Sequence, residues 1–179
     1  KTGSEASLGM SYMCQRAMVC MKHVVRNVAF YAFVNSAITG VNGGLVVLVA
    51  DDPSMHSSQN EQDSRFYGKF ALMPILEPSS QQEAYDMMGY AYDLSEEMKL
   101  PILMRVTTRM AHSRAVVKCG LVREPNAMNH NAVPANFILL PVTALSLIHP
   151  YLCRRRRKSS IPAAPVHKIT YTTRISVLS

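Results

Sequence analysis

An α/β fold, a parallel sheet flanked by helices on both faces, is what this 179-residue sequence predicts. Three observations carry the expectation. Short apolar runs alternate with longer helical-period segments over the first 120 residues, and that alternation builds parallel sheets. The clearest run, "GGLVVLVA" (43–50), is β-branched and uninterrupted, as a strand buried on both faces must be. The clearest helix opens on a capping box, Ser80-x-x-Glu83. A composition 48% hydrophobic supplies the core that such a fold needs.

In chain order, "SEASLGMSYMCQR" (4–16) reads as a helix end with Leu8, Tyr12 and Met13 near one face. "AMVCM" (17–21) is a short buried strand. "HVVRNVAFYAFVNSAITG" (23–40) reads as one long helix, stopped at Gly40. "GVNGG" (40–44) precedes its strand and lacks the G-x-G-x-x-G spacing, so it is a turn and not a dinucleotide fingerprint. "MPILEP" (73–78) is another short strand. Ala84, Met87, Met88, Ala91, Leu94 and Met98 then follow the capping box at helical spacing. "PILMRV" (101–106) opens on a proline that suits a strand start. Beyond Gly120 the texture turns to Pro, Asn and Ala, as in a segment crossing a surface, with a short helix around 142–153. The last residues, "VHKITYTTRISVLS", alternate like the first strand of a further domain.

Open parallel sheets bind ligands beyond the carboxyl ends of their strands. Here those ends are followed by Lys22-His23, by the loop "DDPSMHSSQNEQDSR" (51–65), by Glu77, and by Arg105 with Thr107, Thr108 and Arg109. Polar groups therefore gather along one edge. His23 and His56 suit general acid–base work or hydrogen bonding to a bound cofactor, and each is equally readable as a structural histidine. Asp51 and Asp52 before Pro53 read as turn caps rather than metal ligands, because no G-D-G motif completes a diphosphate-bound Mg²⁺ site. No metal ligand is predicted in this sequence.

Other classes are disfavoured. Part of the net charge of +7 sits in one run, Arg154 to Lys158, which reads as solvated; no nucleic-acid partner is expected. The longest apolar runs fall far short of the ~20 residues that span a bilayer, so no membrane partner is expected either. Cys14, Cys20, Cys119 and Cys153 lack C-x-x-C spacing, against a zinc or iron–sulfur site within the sequence, and read as small core fillers. With no charged-then-apolar start, they favour a cytoplasmic location. The first residue is not Met, and a segment of a longer protein is expected. Walker, G-x-S-x-G and H-E-x-x-H motifs are absent. Met10, Met13, Met18, Met21, Met87, Met88 and Met98 read as core filler.

The loop carries more than composition. "ADDPSMHSSQNEQDSRFYGKFALMPILEPSSQQEAYDMM" (50–88) closely resembles the thiamine-diphosphate pyrimidine-binding domain of indolepyruvate:ferredoxin oxidoreductase, alpha subunit. In that family "DDPSMHSSQNEQD-R" and the following "LEPS--QEA" are near-signatures. "CQRAMVCMKHVVRNVA" (14–29) resembles the family's "GKRALVTMKHVGLNVA", and "ILMRVTTRMAHSRAVV" (102–117) its "VLLRTTTR-SHS". "VPANFILLPVTALSLIHPYL" and "HKITYTTRIS" resemble the family's linker and the opening of its transketolase-C-terminal-like domain. The resemblance implies a pyrimidine-binding domain over 1–120, a linker over 121–165 and the start of the next domain over 166–179.

It also implies a chemistry. An arylpyruvate such as indolepyruvate is oxidatively decarboxylated on thiamine diphosphate with Mg²⁺, electrons pass through 4Fe-4S clusters to ferredoxin, and coenzyme A takes the acyl group. A beta subunit and a diphosphate-binding domain are the implied partners. By position, His23 and His56 are the catalytic candidates, and Gln59, Asn60 and Gln62 face the cofactor. Asn27 lies near the substrate, while Arg65 either anchors the loop or meets a substrate carboxylate. Asp51, Asp52, Glu61 and Asp63 are as readily loop-shaping groups. The family's activating glutamate aligns just before Lys1, and Glu5 is not its counterpart. Arg26, Phe30 and Tyr31 put bulk where the family is smaller. A non-catalytic assembly module built on the same fold is the alternative reading.

Overall fold

The fold was described from a computed structural model, which describes residues 1–129 and 134–141. Its centre is a four-stranded parallel sheet of β1 (Ala17–Lys22), β2 (Leu45–Asp51), β3 (Ile75–Leu76) and β4 (Ile102–Thr107), in the order β1-β2-β4-β3. The helices are α1 (Thr2–Tyr12), α2 (His23–Val28), α3 (Phe30–Thr39), α4 (Ser64–Ala71), α5 (Gln81–Met98) and the short α6 (Thr108–His112). The expected α/β class, a parallel sheet with helices on both faces, is present.

Strand alternation sorts the core into two layers. On one face Val46, Leu76, Ile102 and Met104 pack against Met87, Ala91, Leu94 and Met98 of α5. On the other, Val47, Val49, Ile75 and Leu103 pack against Phe33 and Ala37 of α3 and Ala71 of α4. Each such side chain taken wholly out of water contributes roughly 1.5–3 kcal/mol. β1 is an edge strand, and α5 does not cover it. Met18 is therefore 45% exposed and Cys20 is exposed, where the sequence led us to expect buried side chains. Met10 and Cys119 are likewise exposed and not core filler.

Capping explains where helices start. Ser80 accepts from the Glu83 amide at 3.3 Å, while the Glu83 carboxylate takes the Ser79 amide at 2.7 Å, so the box closes one residue further out than its usual form. Gly40 ends α3 at φ 76°, a conformation that glycine adopts without the usual Cβ penalty. Gly43 permits close approach, since a Cβ there would lie 2.3 Å from the Gln15 carbonyl oxygen.

The segment 23–40 is two helices rather than one. At Ala29 (φ −93°, ψ 5°) the ladder tightens, the Ala29 amide bonding the Arg26 carbonyl at 2.9 Å before α3 begins. Val24, Val25 and Val28 are β-branched and lower the helix propensity of this segment. The break lets α2 cross the strand ends while α3 runs down the sheet face.

Past α6 the chain runs extended over the outer stripe of α5. The Gln82 amide brackets Lys118, accepting its N–H at 2.8 Å and donating to its carbonyl at 3.3 Å. Tyr85 Oη accepts from Gly120 N at 2.9 Å, Arg123 donates to Asp93 at 2.6 Å, and Asn126 donates to Glu96 at 2.7 Å. The helix expected around 142–153, the basic run and the strand expected over 166–179 lie outside the described residues.

Candidate functional site

The parallel register sets Lys22 beside Ala50 and Asp51 beside Thr107, so three strands deliver their carboxyl ends to one place. Successive residues of a strand point to opposite faces, and Asp51 and Asp52 divide the work accordingly. Asp51, fully buried, accepts from the Ser64 amide at 2.8 Å, from the Ser64 hydroxyl, and from Arg105 Nε at 2.6 Å. It thereby fixes the first turn of α4. Arg105 also pairs with Glu77 and lies 3.7 Å from Asp63. Asp52 accepts from Ser57 N at 2.7 Å, Ser58 Oγ at 2.6 Å and Thr108 Oγ1 at 3.0 Å. Those donors, led by Ser58, hold its carboxyl far below the ordinary carboxylate range.

Between these anchors the loop makes a tight bend. Ser54 and Met55 both take left-handed backbone conformations (φ 66° and 55°), each costing roughly 1 kcal/mol in a non-glycine residue. Lys22 Nζ braces the bend from β1 by donating to the Ser57 carbonyl.

The second half of the site is built on α2. His23 is fully buried, with Nε2 2.9 Å from the Asn60 carbonyl oxygen and Nδ1 3.3 Å from that of Ala50. Arg26, one turn on, is also fully buried. It donates to the Ser64 hydroxyl and, at 3.1 Å, to Gln62 Oε1, and its guanidinium lies 3.4 Å from the Tyr67 ring centroid. Burial lowers its pKa, an effect that the Tyr67 contact and the carboxylates of Asp51 and Asp63 oppose.

The predicted residues therefore divide. His23, Asn60 and Gln62 come together, Gln62 Nε2 donating to Asn60 Oδ1 at 3.1 Å. Asn27 is exposed and accepts from Tyr67 Oη at 2.9 Å, next to the Arg26 stack. His56 and Gln59 are exposed on the loop. Arg65 is bound to Asp63, its N-cap partner, at 2.6–2.9 Å, which is the anchoring arrangement of its two open roles. That contact holds the Asp63 carboxyl below its ordinary pKa.

Sequence reasoning missed the parts played by Arg26, Ser64, Tyr67 and Lys22. Charged residues inside apolar segments, Arg26 in "HVVRNVAF" and Arg105 in "PILMRV", were the available signal, because a buried charge needs partners. Beside Asn27, Phe30, Phe66, Tyr67 and Phe70 line an open cleft of about 320 Å³. Phe66 and Phe70 are 66% and 67% exposed, and Phe30 meets the Tyr67 ring edge-on at 5.6 Å. Among the described residues no group of three His, Cys, Asp or Glu side chains is arranged to hold a metal ion, and no helix is long and apolar enough to cross a membrane.

No protein-family model matches the chain. Several curated proteins do. Over 149 residues it is 46% identical to the indolepyruvate oxidoreductase subunit IorA of Methanothermobacter thermautotrophicus, covering 83% of this chain and 24% of that protein. It is 53% identical over 120 residues to the IorA subunit of Pyrococcus abyssi, covering 67% of this chain and 18% of that one. The Thermococcus kodakarensis IorA subunit is 43% identical over 164 residues, 88% of this chain and 25% of that protein. The chain spans about a quarter or less of the length of these relatives.

Proposed function

The chain is homologous to a part of subunit IorA of the indolepyruvate oxidoreductases, and from that kinship we propose a role in a thiamine-diphosphate-dependent 2-oxoacid oxidoreductase. In it residues 1–120 hold the aminopyrimidine ring, 121–165 are a linker and 166–179 begin a further domain. The observation that carries this reading is the loop 51–65. Its base is locked by buried ions, while His56, Gln59 and Asn60 stay exposed beside three strand ends.

That arrangement fits a heterocycle bearing both donors and acceptors. The neutral amides of Gln59, Asn60 and Gln62 can meet such an edge without desolvating a charge. Bound there, thiamine diphosphate would supply the electron sink that a departing carboxylate requires. The protein's own groups hold and orient. His23 fixes the Asn60 backbone and acts through it, Arg26 holds Gln62, and His56 is the exposed group able to move a proton. The aromatic cleft beside Asn27 supports an aryl side chain on the substrate, since rings pack edge-on or offset against rings. Mg²⁺ with the diphosphate, 4Fe-4S clusters, coenzyme A, ferredoxin and a beta subunit belong to this reading as components outside the chain, in the cytoplasm.

Calorimetric titration of thiamine diphosphate with Mg²⁺ into the complete protein with its partner subunit tests the assignment. Saturable binding that His56→Ala or Gln59→Ala abolishes is the expected result, and unchanged binding in both variants removes this loop from the cofactor site. The alternative, an assembly module without catalysis, draws support from Val116, Leu121 and Val122, which are 97–99% exposed on the segment past α6. It predicts no cofactor binding at all.

A further inference from the structure

Among the described residues only two buried side-chain polar atoms lack a hydrogen-bond partner, Arg26 Nε and Ser4 Oγ. They come from different helices, α2 and α1, yet both residues line one cavity of about 20 Å³ between those helices and the sheet. The other walls include Leu8, Val19, Met21, Phe33 and Val47. A water molecule needs roughly 10–15 Å³ on this measure and two or more polar partners. Orphaned buried N–H groups are rare, and both orphans here belong to residues that line the same water-sized space.

We propose that this cavity is a binding site for a single structural water, which accepts from Arg26 Nε–H and shares a second hydrogen bond with the Ser4 hydroxyl. The fit favours water over a small anion. Apart from Arg26, Ser4 and Ser36, whose hydroxyl already donates to the Phe33 carbonyl at 2.6 Å, the lining is apolar, and the space is no larger than one water requires. The water completes the partners of the guanidinium whose other nitrogens hold Ser64 and Gln62. Ser4 thereby becomes a positioning residue for the loop, and α1 is tied through Arg26 to the strand-end site. The inference stands whatever reaction that site serves.

A crystal structure of the complete protein, at a resolution that shows ordered solvent, is the first test. Density for one atom within hydrogen-bonding distance of both Arg26 Nε and Ser4 Oγ is expected. Side chains turned to bond each other, or no density, would overturn the proposal. A second crystal soaked in bromide distinguishes the sources: an anomalous peak at the site makes it an anion site and sinks the water. Ser4→Thr should keep the density and Ser4→Val should lose it, with Gln62 and the loop displaced only in the valine variant. A loop unmoved in the valine variant, with the water gone, refutes the positioning role.

Discussion

The two ends of the sheet hold similar polar residues and use them in opposite ways. At the amino end they close the backbone. Ser11 exchanges hydrogen bonds with Gly43 at 2.6 and 2.8 Å, and Ser95 Oγ takes the Leu45 amide at 3.0 Å and donates to Leu100 O at 2.7 Å. Glu96 binds Arg16 through two bonds at 2.8 and 2.9 Å and also takes the Gly44 amide. Little polar capacity is left over there. At the carboxyl end the buried ions bind one another and the roots of a loop, and the loop's remaining amides and imidazole stay exposed. Internal satisfaction makes an end structural, whereas a rigid base with unspent donors and acceptors makes one suited to a ligand.

The strongest blow to the contrast falls on the carboxyl end. Arg105→Ala leaves Asp51 buried without its cation and should cost about 3–5 kcal/mol, read as a lowered urea midpoint. A loss no larger than that of an exposed pair would mean the end is not built on buried charge.

At the amino end, Glu96→Gln should cost about 2 kcal/mol, since hydrogen bonds to a charged group are the stronger ones. Its Arg16 partner, with Asn126 and Gly44, holds the Glu96 carboxyl down to about 2 from an ordinary 4.5. A carboxylate depressed in the folded state stabilises fully above its unfolded pKa and loses that contribution as pH falls through the folded one. Urea midpoints of the native protein should therefore fall between about pH 4.5 and about pH 2, and Glu96→Gln should make that fall shallower. An identical slope in the variant breaks the account.

A third change sharpens the ligand side. Phe66→Ala and Phe70→Ala remove exposed rings, so stability should move within about 0.5 kcal/mol. On the proposed reading, KM of the complete enzyme for an aryl 2-oxo acid should rise roughly threefold to tenfold while KM for an alkyl one holds, following the worth of an aromatic pair. Equal rises for both substrates would assign the cleft to packing against another protein surface. The smallest effect belongs to Gln82→Ala, which frees the Lys118 backbone. Proteolysis between 113 and 129 should quicken, with thermal unfolding of the sheet shifted by about 1 kcal/mol or less.

Much of this was legible in the sequence because short-range patterning dictates it. β-Branched runs fixed β2 and β4, the capping box fixed α5, and the polar residues after each strand marked the edge where the loop would stand. The break at Ala29 was not legible, since "HVVRNVAF" has an apolar pattern that continues straight through it. Nor was the split of duties among the site residues. His23 and His56 look alike as letters, yet one is fully buried between two carbonyls and the other is exposed. Met18 and Cys20 read as core because nothing local reveals that β1 is an edge strand beyond the cover of α5.

By itself the sequence determined the fold class, the strands β1 to β4, the helix α5 and the kinship with the IorA subunits, because periodicity and motif are properties of neighbouring residues. Only the tertiary structure decided that Asp51 meets Arg105 fifty-four positions away, that Arg26 lies on Tyr67, and that the two residues with lone polar atoms line one cavity. Such partnerships depend on register and helix crossing, which place distant side chains together through the packing of the whole core.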